Sequence, residues 1–181
     1  MKNTKNAGAA AILVCGLALV GGARNADAQV DPCALLTVAE VQQALPGSKP
    51  GSIERGLEKE GILRCSWRSP DGLLFLIASQ EPEDSVKDEA RSWVQAFVDP
   101  LRADAEGRVR FDVMPGIADQ AVAVVERQDK ANGIAQDAAL IVVRRGTWQV
   151  SLLAPPLARR ERPDALRALG ELGKAVARRL N

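Results

Sequence analysis

Two cysteines, Cys33 and Cys65, constrain this chain more than any other feature, because its N-terminus marks it for an oxidising compartment. Lys2 and Lys5 make a short positive region, and Ala7 to Val20 is an unbroken run of small and apolar residues. Ala26-Asp27-Ala28 then offers small residues at both recognition positions of a signal-peptidase site, so cleavage is expected before Gln29. The apolar run of about 14 residues is short of the ~20 needed to cross a bilayer. Residues 1–28 therefore read as a signal peptide, and the expected destination is the periplasm or the medium. Cys15 follows Val14, which is not small, and the apolar run continues past it, so lipid anchoring through Cys15 is disfavoured. Cys15 leaves with the signal, and the remaining two cysteines allow a single pairing. A Cys33–Cys65 bridge closes a loop of about 33 residues and contributes roughly 3–4 kcal/mol in the chain-entropy account. The competing reading is two buried free thiols; the chain has no C-x-x-C, so a catalytic dithiol is not indicated.

After cleavage 153 residues remain, enough for one self-sufficient core. Thr37 and Glu40 form a capping box, with Leu36 and Val41 placed as its hydrophobic staple, and the helix ends at Pro46-Gly47. Residues 46–61 read as a loop with a short strand near Ile53. Leu63, Cys65 and Trp67 alternate with Arg64, Ser66 and Arg68, as in a half-buried strand. Ser69-Pro70-Asp71-Gly72 reads as a type I turn into the apolar run Leu73 to Ala78. A second helix is expected after Ser85, with Val86, Ala90, Trp93, Val94, Phe97 and Leu101 at helical spacing. Strands are expected over Val109 to Val113, Ala121 to Glu126, Ala138 to Arg144 and from Trp148 to Leu152, with a loop around Asn132-Gly133. A last helix begins near Pro163 and carries the stripe Ala165, Leu169, Leu172, Val176 and Leu180. The reading is a single disulfide-stapled α+β domain over 29–181: a mainly antiparallel sheet with helices packed on it. Two hairpin-then-helix sections hint at a weak internal duplication.

Charge gives no pull toward nucleic acid: the full chain carries +1, and loss of Lys2, Lys5, Arg24 and Asp27 leaves −1. The chain has no histidine, so Ser-His-Asp, Cys-His and imidazole-zinc chemistry are impossible. The acidic cluster Glu81, Glu83, Asp84, Asp88 and Glu89 suits a helix start better than a metal site. Gly170-Glu171-Leu172-Gly173-Lys174 lacks the spacing and hydroxyl of a phosphate loop, and Asp129 to Gly133 lacks the ligand pattern of a calcium loop. No cofactor, metal or catalytic residue is assigned. Trp67, Trp93 and Trp148 lie on apolar stripes and read as core.

The start Asp31-Pro32-Cys33-Ala34-Leu35-Leu36-Thr37, then Glu40-Val41 and Cys65-Ser66-Trp67, resembles a domain-of-unknown-function family of exported bacterial proteins, many of them actinomycete lipoproteins. Pro115-Gly116-Ile117-Ala118-Asp119-Gln120-Ala121 is similar to that family's Gly-Leu-Gly-Asp-x-Ala segment, and Arg144-Arg145-Gly146 before the last strand fits it as well. The resemblance implies a disulfide-stapled α+β envelope domain and carries over no activity, cofactor or catalytic residue.

The function expected from the sequence is an exported, non-catalytic module that binds a protein, peptide or envelope component. An exported hydrolase using carboxylate or serine chemistry is the alternative. The chain from Pro155 onward is basic, and Arg159, Arg160 and Arg162, following Pro155-Pro156, are the candidate partner-binding residues. Loop geometry is expected to leave their guanidinium groups free; a solvated helix face is the blander reading.

Overall fold

The computed structural model describes residues 30–54, 62–80, 110–127 and 137–180. The expected signal peptide, the helix expected after Ser85 with its acidic cluster and Trp93, and the turn expected over Asp129 to Gly133 lie outside the described residues.

Asp31 begins the domain by accepting a hydrogen bond from the Cys33 amide at 2.8 Å, and Pro32 presets the backbone of a 3₁₀ turn, η1, Pro32–Leu35. The extended Leu36 leads to the helix α1, Val38–Ala44. Its capping box forms on both sides: Thr37 Oγ1 accepts from the Glu40 amide at 3.3 Å, and Glu40 Oε2 accepts from the Thr37 amide at 2.8 Å. Two otherwise orphaned donors are thereby satisfied. Cys33 is bonded to Cys65, with their Cα atoms 5.2 Å apart, so the turn before α1 is pinned to the sheet.

Seven strands form one antiparallel sheet: β1 Ser52–Glu54, β2 Ile62–Ser69, β3 Gly72–Gln80, β4 Phe111–Val113, β5 Gln120–Glu126, β6 Ala138–Arg145 and β7 Trp148–Leu153. Their order is β1-β2-β3-β7-β6-β5-β4. Two meanders, β1 to β3 and β4 to β7, meet where β3 pairs with β7, Ile77 opposite Ser151. The β2–β3 hairpin turns at Pro70-Asp71, with Ser69 paired to Gly72 and the Ser69 hydroxyl donating to the Gly72 carbonyl at 3.1 Å. Both edge strands have three residues, which leaves little unpaired backbone for a foreign strand. Among the described residues they carry the two exposed large apolar side chains, Ile53 and Val113.

Alternation along the strands separates two faces. One presents Cys65 and Trp67, Leu74 and Leu76, Ile141 and Val143, Val150 and Leu152, all buried. After β7 a second 3₁₀ turn, η2, Pro155–Arg159, leads into the helix α2, Arg162–Arg179. Ala165, Leu169, Leu172, Val176 and Leu180 are at most 2% exposed, so the stripe read from the sequence is the stripe that packs on β5, β6 and β7. Each fully buried leucine contributes about 1.5–3 kcal/mol. Asp164 lies in the first turn of α2 and Arg178 and Arg179 in its last, which suits the helix dipole. α1 packs beside α2 on the same face. Gly51 lies over this core, where a Cβ would come within 2.7 Å of the Trp67 indole and 2.8 Å of Cys65 Sγ. The fold is thus mixed α and β, dominated by its sheet.

The opposite face carries a smaller apolar cluster of Val124, Leu140 and Val142, with Phe111 and Leu153 against it. Toward the other end of the strands that face becomes polar: Ser79, Gln149, Arg144 and Gln120 are in register across β3, β7, β6 and β5.

Candidate functional site

Arginines tie the ends of these elements together. Strand ends and helix C-termini expose carbonyls that no strand or helix partner reaches, and a guanidinium can donate to several at once. Arg127 leaves β5 and donates to the carbonyls of Ala158, Arg159 and Arg160, holding η2 against the sheet. Arg179, near the end of α2, donates to the Leu35 carbonyl and, through both Nη atoms, to Glu40 at 3.1 Å.

Two of the three candidate arginines, Arg160 and Arg162, belong to this pattern, and for them the expectation that the guanidinium groups stand free needs correcting. Arg162 donates to the carbonyls of Val125 and Arg110 and to the Asp112 carboxylate, clamping the first turn of α2 to β4 and β5. Arg160 donates to the carbonyl of Ala44, the last residue of α1. Arg159 pairs with Asp137 at 3.1 Å but keeps a side chain that is 70% exposed. The segment after Pro155-Pro156 is not an open loop: η2 and the start of α2 turn Arg160 and Arg162 toward carbonyls at element ends. Of the three, Arg159 alone projects largely into solvent, while Arg160 lines a cleft.

That cleft, about 600 Å³, opens between α1 and α2. Ala44, Ala168, Leu172 and Ala175 contribute apolar lining. Around them stand three arginines, Arg160, Arg167 and Arg178, and four carboxylates, Glu40, Glu161, Asp164 and Glu171. Several are already paired: Arg167 with Asp164 at 2.6 Å and Arg178 with Glu40 at 3.6 Å. Glu171 is paired with Lys174 at 2.8 Å. Gln43 adds an amide from α1.

The carboxylates here are arranged for pairing rather than proton transfer. Partial burial alone would raise the Glu40 carboxyl, but hydrogen bonds from the Thr37 amide and hydroxyl and from Arg179 outweigh it and hold it below the ordinary range. Glu171 is lowered by its hydrogen bond from Lys174. A general acid working near neutral pH needs the opposite shift. Two serine hydroxyls are spent locally: Ser48 donates to Leu45 O at 2.7 Å and Ser69 to Gly72 O. Among the described residues no group of three acidic or cysteine side chains could hold a metal ion.

Two separate sequence segments prove to be one structural unit. Asp119 Oδ2 accepts from the Gly146 amide at 2.7 Å, and the Asp119 amide donates to the Arg144 carbonyl at 3.1 Å. The Gly116-Ile117-Ala118-Asp119 turn is thereby locked to the β6–β7 hairpin. Arg145 of that hairpin donates to the Ala177 carbonyl, joining the same corner to α2. A hollow of about 390 Å³ between the turn and α2 is bordered by Arg145, Lys174 and Arg178.

The sequence offered no sign of Gln43, Asp164, Arg167, Glu171 or Arg178 as a group. Each looks like ordinary helix surface until α1 and α2 are laid side by side. Among the described residues no helix is long and apolar enough to cross a membrane. The chain matches no protein-family model, no curated protein and no solved structure.

Proposed function

We propose that the chain is an exported, non-catalytic module that binds a protein or peptide segment of mixed charge in the cleft between α1 and α2. The observation that carries this reading is the cleft's composition: apolar lining from small side chains between near-equal numbers of arginines and carboxylates. A polyanionic envelope polymer would favour an excess of cations, which this rim lacks. An extended segment with its own alternating charges can exchange partners with ion pairs such as Arg167–Asp164 while laying a small apolar side chain on Ala168.

Three further readings accompany the proposal. Export is supported by the Cys33–Cys65 bridge, which oxidising compartments preserve. Kinship with the exported bacterial family is supported by the roles its resembling segments take here, a capped turn carrying the disulfide and a turn locked to a hairpin through Asp119. An internal duplication is supported by the two meanders that meet at β3 and β7.

The test is capture from the native cell envelope with the mature protein as bait. Ala168→Arg should fill the cleft and abolish capture of any partner retained by the unaltered protein, while thermal stability stays within about 1 kcal/mol because Ala168 is only partly buried. Arg159→Ser should leave capture intact. Equal yields from the unaltered protein and the cleft-filled variant would remove the cleft from consideration.

A further inference from the structure

Arg144 is 7% exposed, on the sheet face opposite α1 and α2. A guanidinium remains charged at any pH at which proteins fold, and a buried charge needs a counter-charge or a full set of acceptors. Arg144 has neither among the described residues. Its Nε reaches the Gly146 carbonyl at a long 3.4 Å, its Nη2 is fully buried with no hydrogen-bond partner, and no carboxylate pairs with it. Arg160, Arg162 and Arg179 differ in that their Nη atoms donate to carbonyls or carboxylates, although the Nε of Arg162 is also buried without a partner.

We propose that Arg144 is the anchor of a binding site for a monocarboxylate. The guanidinium fork matches the two oxygens of a carboxylate, and one buried positive charge is balanced by one negative charge, whereas a phosphate dianion would leave an excess. The surroundings agree with this choice. Gln120 and Gln149 lie directly across from Arg144 on its two neighbouring strands and on the same face, so neither neighbour in register brings a carboxylate to it. Val142, two residues along β6 on that face, is apolar and 3% exposed, which favours a carboxylate with an apolar carbon next to it over a hydrated ion. The ligand class is therefore a small organic acid, or the terminal carboxylate of a larger molecule.

The experiment measures thermal unfolding of the mature chain in formate, acetate, octanoate, inorganic phosphate and chloride at equal ionic strength. A carboxylate at about a hundred times its Kd should raise the midpoint by roughly 5–10 °C over chloride. The response among formate, acetate and octanoate reads how large a carbon body the site admits. Arg144→Met should abolish the response and, without carboxylate, unfold at or above the midpoint of the unaltered protein, because it removes an uncompensated buried charge. Arg144→Lys keeps the charge without the fork and should retain a weaker response. If Arg144→Met fails to fold, the Arg144 side-chain NMR signals of the unaltered protein decide: acetate should shift them saturably. Equal midpoints in all anions, a response kept by Arg144→Met, or phosphate outperforming every carboxylate would each overturn the assignment.

Discussion

Arg162→Ser and Arg159→Ser should differ widely in cost, although the two residues are three apart in a single basic segment. Arg162 donates to two carbonyls, Val125 and Arg110, and to the Asp112 carboxylate. Hydrogen bonds involving a charged group contribute about 1.5–3 kcal/mol each. The Arg162 side chain is 26% exposed, so water recovers part of that on truncation, and Asp112 keeps a second cation in Arg110 at 3.7 Å. The net expectation is a loss of about 2–4 kcal/mol, or a midpoint lower by roughly 5–15 °C for a domain of this size. Arg159 makes one exposed pair with Asp137, so its replacement should cost under about 1 kcal/mol. Arg162→Lys preserves the charge but not the fork and should recover less than half of the loss. Thermal and urea unfolding of the four proteins, with the urea slope unchanged, is the assay. An Arg162→Ser midpoint within about 1 °C of the unaltered protein, or an equal drop for Arg159→Ser, would refute the clamp.

Other expectations follow from the same geometry. Cys33→Ser and Cys65→Ser should each lower stability by about 2–5 kcal/mol, the double variant being no worse than either single one, and residues 29–181 purified without reductant should titrate with no free thiol. Gly51→Ala should cost about 1–3 kcal/mol in urea unfolding, because its methyl group would press on the Trp67 ring and the disulfide, neither of which can move aside cheaply. Glu40 is held below the ordinary carboxyl range, so its contribution is complete above its unfolded-state value and disappears as pH falls through its folded-state value. Between about pH 7 and pH 3 the urea midpoint should therefore fall further for the unaltered protein than for Glu40→Gln; parallel losses would show that the Thr37 and Arg179 contacts do not matter in solution.

The sequence by itself determined the features that depend on neighbours a few residues apart. Thr37 and Glu40 form their capping box, Ser69 to Gly72 turns a hairpin, and Ala165 to Leu180 buries its stripe, because capping, turn chemistry and helical period are local. With Cys15 set aside, Cys33 and Cys65 allowed a single pairing, and the fold brings their Cα atoms to 5.2 Å. What tertiary structure decided is non-local. The meeting of β3 with β7 joins residues 68 to 78 positions apart, and no short-range pattern encodes that choice. It set α1 beside α2, making a cleft whose charged rim includes Asp164, Arg167, Glu171 and Arg178, which each read as solvated helix surface. Arginine hid most. Its identity announces a charge, yet Arg159 faces solvent, Arg162 bonds strand-end carbonyls, and Arg144 is buried without a counter-charge among the described residues. A guanidinium's role depends on which acceptors lie within reach, and only the folded chain brings those acceptors near.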